Sequence, residues 1–235
     1  MDKCLTLIPA RAGSKGIPNK NMALIGSRPL LEFTVRAALG AGLPGRICLS
    51  TDSPEMRTFG LSCGIEAPFF RPSELAQDGT GMIPVIEHAL AWYDEAEGFV
   101  PEYLVLLQPT CPFRSPRAVL GAFRLIENAG SDCLISVNAV STHPCEYIRE
   151  TEGGFAYVME PPEAPGRQNF PEVFFINGAI YICRTDFFRK TGRLFDTHAL
   201  LYKMDPLESL DIDEYPDLMY AGWFFEHSQE LIYWM

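Results

Sequence analysis

From Cys4 to Val137, short apolar runs alternate with stretches of helical periodicity. Cys4–Pro9, Arg46–Ser50, Tyr103–Leu107 and Cys133–Val137 read as buried strands, with Ile65–Phe70 as a further short one. Between them, Pro29–Ala41, Pro54–Cys63, Ile83–Ala96 and Pro116–Asn128 space their apolar side chains as helices do. Strands separated by helices build a mostly parallel sheet, because each helix carries the chain back to start the next strand in the same direction. Near-continuous apolar strands imply that both faces of that sheet are covered. The expected class is α/β, with an open, mostly parallel, Rossmann-like sheet.

Beyond Val140 the pattern changes. Tyr147–Arg149, Phe155–Met159 and Phe174–Cys183 read as strands, interrupted by the proline-rich stretch Glu160–Pro171, and a closing helix is expected near Tyr215–Glu226. We expect a small antiparallel insertion over residues 140–175, either a local excursion or a dimerisation arm. No linker divides the chain, so residues 1–235 are expected to form one domain carrying that insertion.

Composition excludes several classes. The formal net charge of −11 argues against a nucleic-acid partner, which would call for a basic face. No run of eighteen apolar residues occurs, so no membrane span is expected. The apolar stretch at the N-terminus is too short for a signal peptide, which points to the cytoplasm. Seven cysteines occur without any Cys-x-x-Cys spacing and are expected to be buried free thiols.

The richest segment is Pro9 to Asn21, which leaves the first strand at its carboxyl end, where open α/β sheets bind ligands. Gly13 and Gly16 allow close backbone approach, and successive backbone N–H groups can cradle phosphate oxygens. Arg11, Lys15 and Lys20 gather positive charge within an acidic chain. The spacing is neither that of a Walker A loop nor that of a dinucleotide fingerprint. A second centre is Asp211-Ile212-Asp213. In an extended segment these carboxylates share a face, and they repel unless a cation such as Mg²⁺ lies between them.

The loop resembles the signature of the acylneuraminate cytidylyltransferases, Ala-Arg-x-x-Ser-Lys-Gly followed by Lys-Asn. It is matched by Ala10, Arg11, Ser14, Lys15, Gly16, Lys20 and Asn21. Further blocks agree: Ser50-Thr51-Asp52, Arg71-Pro72-x-Glu74-Leu75-Ala76-x-Asp78, and Gln108-Pro109-Thr110-x-Pro112-x-Arg114, where the family has Leu-Gln-Pro-Thr-Ser-Pro-Leu-Arg. So do Arg167-Gln168-x-x-Pro171, Asn177-Gly178-Ala179-Ile180-Tyr181 and Asp211-Ile212-Asp213. The resemblance implies a fold of the nucleotide-diphosphosugar transferase type and cytidylyl transfer from CTP to a nine-carbon sugar acid. It implies a CTP site built from Ala10, Arg11, Gly13, Ser14, Lys15, Lys20, Asn21, Arg71 and Thr80.

Gln108, Arg167, Gln168, Asn177 and Tyr181 are then expected at the sugar, with Arg167 on its carboxylate. Asp211 and Asp213 are expected at Mg²⁺. Arg11, Lys15, Lys20 and Asp211 are the expected catalytic groups, and a homodimer is implied. None of the four histidines falls in a matching block. Where family members carry a lysine after His-Pro, this chain has Cys145-Glu146, which favours a relative of sialic acid such as a legionaminic or pseudaminic acid. Two other classes stay open: a nucleotidyltransferase acting on another sugar or nucleotide, and a non-catalytic nucleotide-binding relative.

Overall fold

The computed structural model describes residues 3–163 and 166–228. In chain order it contains β1 (Cys4–Pro9), β2 (Leu24–Ile25), β3 (Arg28–Pro29), α1 (Leu30–Ala41), β4 (Gly45–Ser50), α2 (Pro54–Ser62), α3 (Met82–Glu97) and β5 (Tyr103–Leu106). There follow α4 (Pro116–Ala129), β6 (Cys133–Ala139), β7 (Ile148–Thr151), β8 (Gly154–Tyr157), β9 (Phe174–Arg184), α5 (Thr185–Thr191), β10 (Leu200–Lys203) and α6 (Tyr215–His227).

Six strands form the central sheet in the order β10-β6-β9-β5-β1-β4. β1 pairs in parallel with β4 and β5, and β6 pairs in parallel with β10. β9 runs antiparallel to both its neighbours, β5 and β6. The sheet is therefore mostly parallel, as its alternation with helices predicts. The Phe174–Cys183 run, expected as a strand at the end of the insertion, threads the middle of the main sheet as β9. Its buried run, with Ala179, Ile180, Ile182 and Cys183 fully covered, suits a strand packed on both faces. Outside the main sheet, β7 pairs with β8 and β2 with β3, each as a separate antiparallel hairpin.

One apolar layer joins the sheet to α1, α2 and α4 through residues such as Leu31, Met56, Val119 and Phe123. The layer on the other face joins it to α3 and α5 through Ile86, Tyr93 and Phe188. A third cluster, comprising Ile17, Ile25, Leu30, Phe33, Phe113, Ile212 and Ala221, lies away from the sheet. It ties the loop after β1 to the β2–β3 hairpin, the segment after β5, the Asp211–Asp213 stretch and α6. Apolar burial thus fixes the relative positions of the charged loops.

The predicted strand at Ile65–Phe70 reduces to one bridge between Glu66 and Cys48. Pro68 cannot donate to a ladder, so pairing stops there. The β2–β3 hairpin, α5 and β10 were not expected. β2 and β3 are two residues each, turning at Gly26 with φ 60°, and β10 is a partly exposed edge strand, so none of these carries a clear period.

Candidate functional site

β1 ends at Pro9 and delivers the loop to the carboxyl edge of the sheet. Ala10 is fully buried and donates its N–H to the Ser50 carbonyl at 3.0 Å. Ile17 drops into the third cluster and anchors the middle of the loop. Asn19 adopts φ 51°, a left-handed conformation that Asn tolerates better than most residues. That turn leads into the short 3₁₀ segment Lys20–Met22. Asn21 is nearly buried, and its Nδ2 donates to the Arg11 carbonyl at 3.0 Å, closing the loop on itself.

The loop faces the exit of β5 across a cleft of about 180 Å³. Pro9, Arg11, Gly13, Ser14, Lys20 and Asn21 line one side, and Met82, Gln108, Pro109 and Thr110 the other. Residues expected at the nucleotide and Gln108, expected at the sugar, thus share one cavity although they lie roughly a hundred positions apart.

The three cations are already engaged by acids of the same chain. Arg11 Nη2 lies 2.6 Å from Asp78 Oδ1, and Lys15 Nζ lies 3.4 Å from Asp78 Oδ2. Arg11 Nη1 also donates to the Ala76 carbonyl at 3.1 Å. These partners hold the Asp78 carboxyl below the usual carboxylate range, first through the Arg11 hydrogen bond. Asp52 accepts the Ala12 N–H at 2.8 Å. The positive loop therefore lies against its own counter-charges, which balances the acidic surroundings.

Lys20 is the most buried of the three. Its Nζ donates to the Ile212 carbonyl at 2.8 Å and to Asp213 Oδ1 at 3.0 Å. Gly16 packs so closely against the Asp213 carbonyl that a Cβ built on it would lie 2.4 Å away. The loop and the acidic pair are therefore docked on each other. Ile212 is fully buried while Asp211 and Asp213 are exposed, which is the alternation expected of an extended segment. Asp217, in the first turn of α6, accepts the N–H groups of Asp213 at 3.0 Å and Glu214 at 2.8 Å, fixing the far end.

Asp211 lies beside Thr110 and Cys111, with Cys111 Sγ 3.8 Å from Asp211 Oδ1. Partial desolvation by its neighbours raises the Asp211 carboxyl above its ordinary pKa; a hydrogen bond with Thr110 and the Lys20 charge offset part of this, and the Asp213 charge adds to it. The two carboxylates flank one buried anchor, and the Asp213 charge disfavours ionisation of Asp211, which a hard divalent cation between them would relieve. Among the described residues, no three His, Cys, Asp or Glu side chains converge on one point. A cation here would thus rely on two carboxylates plus ligand oxygens.

Arg71, expected at the nucleotide, is 5% exposed and donates to the Ser50 hydroxyl at 3.1 Å and the Ser50 carbonyl at 2.6 Å. Burial pulls its pKa down to about 10. Thr80 Oγ1 donates to the Glu74 carbonyl at 2.9 Å. Arg71 and Thr80 thus hold the wall behind the loop.

The residues expected at the sugar are more dispersed. Asn177 is buried, and its Oδ1 accepts from Ser136 Oγ at 2.6 Å and the Ala179 N–H at 3.1 Å. Its Nδ2 has no partner among the described residues. Tyr181 is half-buried against Phe195, and burial raises its hydroxyl pKa, with Cys111 and Asp211 adding to the shift. Arg167 and Gln168 lie in a 3₁₀ turn of the insertion, and the Gln168 side chain folds over Gly166. Among the described residues, neither Gln168 nor Asn177 lines the cleft. A second cavity of about 290 Å³ opens in the insertion beside Val140, His143, Glu146, Phe170 and Glu172. There His143 Nδ1 accepts the Cys145 N–H, so Nε2 carries the proton and donates to the Pro171 carbonyl at 2.9 Å.

Sequence reasoning passed over Asp78, Met82 and Arg114 as site-forming residues. Asp78 and Arg114 sit inside matched blocks, but their partners lie far away in sequence, and only the fold brings them together. All seven cysteines are free, and six are buried.

A family model described as Cytidylyltransferase matches residues 5–176. The chain belongs to the cytidylyltransferase family. It is 33% identical over 221 residues to the N-acylneuraminate cytidylyltransferase of Escherichia coli, covering 93% of this chain and 51% of that protein. The chain thus spans about half the length of such relatives. It is 29% identical over 233 residues to the CMP-N,N'-diacetyllegionaminic acid synthase of Legionella pneumophila, covering 98% of this chain and 99% of that protein. A solved CMP:2-keto-3-deoxy-manno-octonic acid synthetase, complexed with CTP, superposes with a TM-score of 0.71 at 16% identity, covering 96% of this chain and 99% of that one. That likeness establishes the nucleotidyltransferase fold of this cytidylyltransferase family member. No helix among the described residues is long and apolar enough to cross a membrane.

Proposed function

We propose that this chain transfers the cytidylyl group of CTP to the anomeric hydroxyl of a nine-carbon, sialic-type sugar acid. In this reaction the sugar oxygen bonds to the α-phosphorus, the bond from that phosphorus to pyrophosphate breaks, and the hydroxyl proton passes to a base, a role we assign to the Asp211 carboxylate. The observation that carries the reading is the shared cleft, in which the loop of Arg11, Gly13, Ser14, Lys20 and Asn21 faces Gln108. The family match and the relatives' names support CTP and a nonulosonic acid as the substrates.

Arg11, Lys15 and Lys20 are the groups for the phosphate oxygens, with backbone N–H groups around Gly13 and Ser14 beside them. They stabilise the departing pyrophosphate electrostatically. Gln108 can donate to and accept from a sugar hydroxyl, and Arg167 is the candidate for the sugar carboxylate. Asp211 and Asp213 would hold Mg²⁺, which when bound neutralises phosphate charge.

The test is pyrophosphate release from CTP with N-acetylneuraminic and N,N'-diacetyllegionaminic acids, with the product identified by mass. A preference for UTP or GTP would sink the cytidine assignment.

We also infer a homodimer in the cytoplasm. Ile148, Phe155, Val158 and Phe175 are each more than half exposed on the insertion and the start of β9, an apolar surface suited to a second copy. The free cysteines fit a reducing compartment. A monomer mass by light scattering would overturn the dimer.

A further inference from the structure

Arg114 is the bulkiest of the fully buried side chains, at 0% exposure. Among the described residues no carboxylate pairs with it, and burial pulls its pKa down to about 10, so it stays charged at neutral pH. A buried charge without a counter-charge is strongly unfavourable unless hydrogen-bond acceptors replace the water it has lost.

Those bonds have a clear distribution. Nη1 donates to the Ala179 carbonyl at 2.5 Å and to the Gln108 carbonyl at 3.2 Å, while Nη2 donates to Thr34 Oγ1 on α1 at 2.7 Å. Gln108 lies just past β5, and Ala179 lies in β9. The ladder between these strands has its last pair at Leu106 and Tyr181. Beyond that pair, toward the cleft, the two backbones need another fastener. The guanidinium supplies it, because one planar fork reaches both carbonyls and α1 together. The clip extends further: Asn177 Oδ1 accepts the Ala179 N–H, and Cys111 Sγ contacts both the Asn177 carbonyl and Asp211.

We propose that Arg114 is a positioning residue that fixes Gln108 against β9 and so sets the placement of the acceptor sugar rather than of the nucleotide. The proposal rests on the functional reading above. A lysine keeps the charge but cannot span both carbonyls and Thr34.

The experiment compares wild type, Arg114→Lys and Thr34→Val in cytidylyl transfer, varying CTP and the sugar acid separately and following folding by thermal melting. For folded Arg114→Lys we expect kcat to fall about tenfold or more and the acceptor KM to rise, with the CTP KM within about twofold of wild type. Wild-type constants, or a parallel rise in both KM values, would overturn the proposal. If Arg114→Lys does not fold, Thr34→Val decides: it frees one end of the fork with little change of shape. A higher acceptor KM at constant CTP KM supports the clip, and an unchanged acceptor KM overturns it. A wild type that makes no CMP-sugar sinks the functional reading itself and the proposal with it. An active wild type with an indifferent Arg114→Lys sinks the proposal alone.

Discussion

The side of the cleft that we assign to the nucleotide is held by ion pairs between surface loops, whereas the side assigned to the acceptor hangs from buried sheet backbone and an exposed insertion. On the first side, Asp78 bridges Arg11 and Lys15, and Asp213 holds Lys20. On the second, Arg114 and Asn177 fasten the carbonyls and turns behind Gln108. Paired loop charges can be exchanged for the charges of an arriving triphosphate at little cost. A buried clip cannot be exchanged, so it sets geometry and selectivity. The contrast teaches that affinity for the common substrate and choice of the particular one can reside in separate structural layers of one cleft.

The acidic pair joins both layers, so its loss should have the largest effect. We expect Asp211→Ala and Asp213→Ala each to lower turnover by about a hundredfold or more, and removal of divalent cations by a chelator to abolish it. Steady-state rates at several Mg²⁺ concentrations check this. Full activity in both variants would remove the metal from the site and with it the link between the layers.

Arg167→Met comes next. A charge-assisted contact to a carboxylate contributes about 1.5–3 kcal/mol, so the acceptor KM should rise at least about tenfold. The CTP KM should stay put. Equal movement of both constants would break the division of the cleft.

Asp78→Asn tests the other side and should act in the opposite sense. Removing the carboxylate that occupies Arg11 and Lys15 leaves those cations available to phosphate. We expect a modestly lower CTP KM with an unchanged acceptor KM. A higher CTP KM would mean that Asp78 aims the cations rather than shielding them.

The parts of this design that show in sequence are those with local causes. Apolar runs and helical spacing in the first 137 residues placed four strands and four helices, and the serine and proline at the starts of α2 and α4 mark their caps. Asp211 and Asp213 stand out through their spacing together with the other matched blocks, because a bare Asp-x-Asp also suits a solvated turn before a helix. The insertion of β9 into the main sheet could not be read, because a buried strand carries no mark of its direction. The buried contacts of Arg114 were equally unreadable: it stands at a matched position, but its partners at Thr34 and Ala179 lie 80 and 65 positions away.

Ser115→Ala should have the smallest effect, and it asks how stiff the acceptor layer is. Ser115 follows Arg114 directly and caps α4, its Oγ accepting the Ala118 N–H at 3.1 Å. Loss of such a cap costs about 1 kcal/mol, which for a chain of this size lowers the melting temperature by about 2–4 °C. The carbonyls that Arg114 gathers do not touch the Ser115 hydroxyl. If buried packing alone holds the clip, both KM values should match wild type while the melting temperature falls. If the acceptor KM rises as well, fraying of the first turn of α4 reaches Gln108 through Arg114. The buried layer would then be only as rigid as the helix that begins beside it.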